Sequence, residues 1–111
     1  MKLLAVLAML SSSVVLAGCI DLGRYQLSGR QAQSEIEAFN SEKLRLYREF
    51  VTSENQINSS YSSEVQRLYQ RGYSDDYLRS ELRGLERRKD DRLAQNCRTY
   101  KNRFQSLVRS F

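Results

Sequence analysis

The chain has 111 residues, with 18 Lys and Arg against 13 Asp and Glu, a net charge of +5, and no His, Pro or Trp. Without His the commonest general base and the commonest metal ligand are missing, and Ser–His and Cys–His catalysis with them. Without Pro the usual helix breaker is missing too, which favours long uninterrupted helices.

The N-terminal segment carries one charge, Lys2, then an apolar run from Leu3 to Leu10. Ser11-Ser12-Ser13 interrupts it before a second apolar patch, Val14 to Leu16. This is the layout of a secretory signal. Spanning a bilayer takes about 20 apolar residues, so the serines argue against a transmembrane helix. The segment closes on Leu16-Ala17-Gly18-Cys19. These four residues resemble the lipobox of bacterial lipoproteins at every position, a resemblance that covers residues 1–19. It implies diacylglycerol on the Cys19 sulfur, cleavage between Gly18 and Cys19, and an acyl group on the new amino terminus. Residues 1–18 are then a cleaved signal peptide, and no cofactor beyond the attached lipid is expected. Ile20 follows the Cys. In enteric-type sorting an Asp there resembles an inner-membrane retention signal, so the resemblance implies the periplasmic face of the outer membrane.

Residues 19–111 are enough for one small domain. A core of that size is marginal without a disulfide, oligomerisation or well-matched helix pairing. Assigning Cys19 to lipid leaves Cys97 as the single thiol and permits no intrachain disulfide. Cys97 is then either buried or the site of an intermolecular disulfide in a homodimer. Residues 19–29, with Gly23 and Gly29, read as a lipidated tether.

Residues 30–111 read as an all-α domain. Ser28-x-x-Gln31 and Ser34-x-x-Glu37 both fit a capping box at a helix start. Ile36, Phe39, Phe50, Ile57, Tyr61, Val65 and Leu68 then recur at helical spacing. Gly72 suits the left-handed position past a helix end, and Ser74 with Asp75 and Asp76 suits a new helix start. Leu78, Leu82, Leu85, Leu93, Cys97, Tyr100, Phe104, Leu107 and Phe111 form the stripe of the second helix. The expected architecture is a long antiparallel, coiled-coil-like hairpin of helices at about 30–70 and 75–110. The alternative is a three-helix arrangement broken near residues 55–60, where Asn58-Ser59-Ser60 and Ser62-Ser63 have poor helix propensity.

A turn centred near residue 73 makes paired positions sum to about 146, setting Phe50 level with Cys97 and Glu54 opposite Arg92. Lys89 fills a gap in the second stripe. Glu54 with Arg92 and Lys89 then either forms a polar layer in the seam or is solvated. Residues 31–64 hold six acidic and three basic residues, and residues 67–111 hold twelve basic and six acidic. The basic end therefore lies beside the acidic start of the first helix.

Little chemistry is expected, and the chain reads as a non-enzyme with no metal site. Adjacent acids such as Asp75-Asp76 and Asp90-Asp91 point apart on a helix. Arg98, Lys101, Arg103 and Arg109 are candidates for a basic patch on the membrane surface. The Arg83, Arg87, Arg88, Lys89 and Arg92 cluster is either a polyanion site, for acidic lipid headgroups, anionic wall polymers or an acidic protein surface, or a solvated helix face. Export excludes nucleic acid as a partner. Tyr69, Arg71, Tyr73 and Tyr77 flank the distal turn, and Tyr is common at interfaces, so this tip is the candidate site for an envelope protein partner. The expected function is a protein-interaction or assembly accessory of the cell envelope, anchored by its lipid. The alternative is an inhibitor, immunity or entry-exclusion lipoprotein.

Overall fold

The structure is a computed structural model, and it describes residues 19–111. The expected signal peptide and the Gly18 side of the cleavage site lie outside the described residues. A short 3-10 turn, Leu22–Arg24, precedes two long helices, α1 (Gln33–Gln70) and α2 (Asp75–Ser110). The helices pack as an antiparallel hairpin in a body 63 × 31 × 16 Å. The described residues form no strand. None of their helices is long and apolar enough to cross a membrane.

α1 runs unbroken through the serine-rich stretch, which decides for the hairpin over three helices. Ser59, Ser60, Ser62 and Ser63 all face solvent, while Ile57 is buried and Tyr61 half-buried. The apolar stripe thus holds phase across the weak segment, and packing overrides propensity there. The turn follows the sequence reading. α1 ends at Gln70, Arg71 stays helical, and Gly72 takes φ +69°, a left-handed angle that favours glycine.

The start of α1 does not follow the capping boxes. Ala32 sits at the cap with no side-chain oxygen to offer, and its carbonyl accepts from the Glu35 and Ile36 amides. Glu37 is engaged instead by Gln33, whose Nε2 donates to its Oε1 at 3.4 Å. Ser74 also caps α2 by backbone position alone.

The register differs from the expected one by about a turn. Phe50 meets Tyr100, Phe39 meets Phe111, and Lys89 lies over Tyr61. These partners sum to about 150. Helical side chains lean toward their own N-terminus. In an antiparallel pair that lean brings each α1 side chain against a residue further along α2 than the backbone level suggests.

Residues 19–25 are not a free tether. Ile20 and Tyr25 are buried, and Tyr25 stacks on Phe104 with ring centroids 4.9 Å apart. With Leu46, Phe50, Tyr100 and Phe104 they form one cluster, against which Cys19, Leu22, Tyr47 and Val51 pack. Two helices alone would leave the aromatic side of this seam open. The N-terminal segment covers it, and burying a large apolar side chain is worth about 1.5–3 kcal/mol.

Candidate interaction surfaces

The expectation for Cys97 is overturned. It is neither a free thiol nor bonded to another chain, because Cys19 and Cys97 form a disulfide with Cα atoms 6.2 Å apart. The cause is the docking of Ile20 and Tyr25, which carries Cys19 back onto α2. The spacing lies in the usual range for such a bridge. The lipobox resemblance assigns Cys19 to lipid, and nothing in a Gly-containing segment announces a docked turn.

The four residues of the basic patch do not share one face. At 100° per residue, Arg98, Lys101 and Arg109 fall on the flank beside Cys97, and Arg103 lies 200° from Lys101. Arg103 reaches across the other flank to Glu49 at 3.3 Å and covers the Tyr100 ring. Arg24, from the 3-10 turn, replaces it. Arg24, Lys101 and Arg109 line a shallow groove with Tyr25, Gln105 and Val108. Arg24 also stands 3.7 Å from Asp21. No sequence signal linked Arg24 to this group, since only the fold-back brings it there.

The opposite flank of the seam is an open polar groove lined by residues including Thr52, Gln56, Ser60, Arg92, Asn96 and Thr99. The Ser53 hydroxyl lies 2.8 Å from Asn96 Oδ1, placed to donate to it. Asn96 Nδ2 is shielded from solvent and has no partner. An unmet buried donor costs about 1–3 kcal/mol.

Glu54 neither joins a polar layer nor stays solvated. It is buried at 6 % exposure, and burial pushes its carboxyl above the usual range. Among the described residues no ion pair links it to Lys89 or Arg92. Lys89 lies 4.4 Å over the Tyr61 ring, with Asp90 at 4.0 Å. The shortfall in the apolar stripe is thus met by a cation–aromatic contact.

At the distal turn the structure brings three of the four tip residues together. Arg71 Nη1 donates to the Tyr73 hydroxyl at 3.1 Å, and the Tyr73 and Tyr77 rings meet edge to face at 4.6 Å. The Glu81 charge is the chief influence holding the Tyr77 phenol above its ordinary value. Tyr69 stands on the last turn of α1 and is 61 % exposed, and Tyr77 is 48 % exposed. The tip thus presents a fixed aromatic pair and one projecting ring. No family model matches the chain, and comparison with curated proteins and with solved structures yields no match.

Proposed function

We propose that this chain is a lipid-anchored helical lipoprotein of the cell envelope that binds a resident protein partner as an assembly accessory, with no catalytic role. The observation that carries the reading is the distal tip, where Tyr69 and Tyr77 stand exposed beside the Arg71–Tyr73 pair. Rigid aromatic side chains beside an Arg are the composition of interface anchors. The address rests on the lipobox, Leu16 to Cys19, and the outer membrane's periplasmic face is the expected site.

The test is a photoreactive residue at Tyr69 in growing cells. One discrete adduct with a resident envelope protein, lost in Tyr77→Ala, is the expected result. A smear or no adduct overturns the tip assignment, and capture of an incoming toxin, phage or plasmid component turns the reading to an inhibitor.

The disulfide favours a second reading of the anchor. One sulfur cannot hold both a thioether and a disulfide. In this reading the exported chain is unlipidated, and its N-terminal segment is clamped to α2 through Cys97. Intact-mass measurement separates the two. Acyl mass on Cys19 supports the anchor, and loss of two hydrogens without acyl mass supports the clamp.

A further inference from the structure

We propose that the flank of α2 beside Cys97 docks on anionic phospholipid headgroups, so that the hairpin lies along the bilayer instead of standing on it. The flat orientation rests on the reading that Cys19 carries the anchor, whereas the charge of the flank does not depend on it.

The position of the anchor's root follows from packing. Ile20 is 5 % and Tyr25 8 % exposed, and Tyr25 stacks on Phe104. The contacts of Ile20 and Tyr25 are apolar and are not made by the sulfur bond, so they remain available when the Cys19 sulfur carries diacylglycerol. The root then lies beside Cys97, part-way along α2. From there the helix runs 13 residues to Ser110 and 22 back to Asp75. At 1.5 Å per residue these arms are about 20 Å and about 33 Å. A hairpin standing upright on this root would drive the shorter arm, with Lys101, Arg103 and Arg109, into the hydrocarbon. Charged side chains are strongly disfavoured there. Lying flat keeps every one of these charges out of the hydrocarbon.

The same flank has the charge for that interface. Arg24, Lys101 and Arg109 surround the groove that Tyr25 and Val108 floor, and no carboxylate lines it. Arg98 extends the patch along α2, and Arg87 and Arg83 continue it by helical spacing. The acids on this side are Asp21, beside Arg24 at 3.7 Å, and, by helical spacing, Asp91, Asp90 and Asp76 toward the start of α2. Each exposed cation near an anionic surface is worth about a fivefold gain in partition. Arg103 and the polar groove face the other way.

The test places a photoreactive residue in the full chain at Gln105, on the docking flank, or at Thr99, in the polar groove. Both positions are exposed. Phospholipid adducts and the mass of Cys19 are read from the same cells. The expected result is acylated Cys19 and at least fivefold more lipid adduct at Gln105 than at Thr99, enriched in anionic lipid. Lys101→Gln with Arg109→Gln should cut the Gln105 yield by on the order of tenfold. Acylated Cys19 with equal yields at the two positions overturns the docking flank and leaves the anchor standing. Cys19 without acyl mass overturns the anchor reading. In that state adducts confined to Gln105 still support the flank, and their absence overturns it.

Discussion

The two halves of the hairpin are built differently. Near the chain ends, Phe50 and Phe104 are fully buried, Tyr25 and Tyr100 pack on them, and the disulfide ties the N-terminal segment across. Toward the turn, Ile57 and Leu85 are buried, while Tyr61, Val65, Leu68, Leu78 and Leu82 are only half-buried. The difference is a third layer. Two helices bury one stripe each, and among the described residues only the proximal half has a further segment to cover the flank of that stripe. The distal half displays its tyrosines on two helices in water, which makes it the part expected to open first.

The strongest challenge to this contrast is a pair of truncations. Phe104→Ala should cost about 3–5 kcal/mol in urea unfolding, as expected for a fully buried aromatic. Leu85→Ala should cost closer to about 2 kcal/mol, because the thinner distal core can relax around it. Equal losses would mean that the halves are equally packed. In the oxidised chain, Cys97→Ser should cost about 2–4 kcal/mol. Hydrogen exchange should then rise in residues 19–25 and the proximal seam, with the distal turn unchanged.

A smaller effect is expected at Glu54, where the halves meet. Its folded carboxyl titrates above the unfolded value. The folded state therefore binds more protons, and this contribution is fully present below the ordinary carboxylate range. It is lost as pH rises through the raised value. Glu54→Gln should be more stable than the parent at neutral pH and should remove that slope from the pH profile of the melting temperature. An unchanged profile would place the carboxylate in water. The smallest effect is Gly84→Ala in the distal half. Gly84 lies within α2, and a Cβ there would meet nothing within 4 Å. The gain should be about 0.5–1 kcal/mol, and a loss would reveal packing on that face.

The helices were legible because their signal is local. Apolar residues at steps of three and four gave the stripes, and Gly72 with Ser74 gave the turn. Propensity favours a break at residues 55–60, but the phase of Ile57, Tyr61 and Val65 outweighs the serines. Of the site, the tip was legible because Arg71, Tyr73 and Tyr77 lie within seven residues. The basic patch was half legible, because Arg98, Lys101 and Arg109 share a helix face but Arg24 comes from elsewhere in the chain.

The sequence by itself determined two helices, one turn between them and the tyrosines at that turn. All of these depend on neighbours a few residues apart. Tertiary structure alone decided the register, the burial of Glu54, the split of the basic patch and the pairing of Cys19 with Cys97. Each depends on how segments far apart in the chain pack. The pairing spans 78 positions, and it exists because Ile20 and Tyr25 find an uncovered aromatic seam that no local pattern announces.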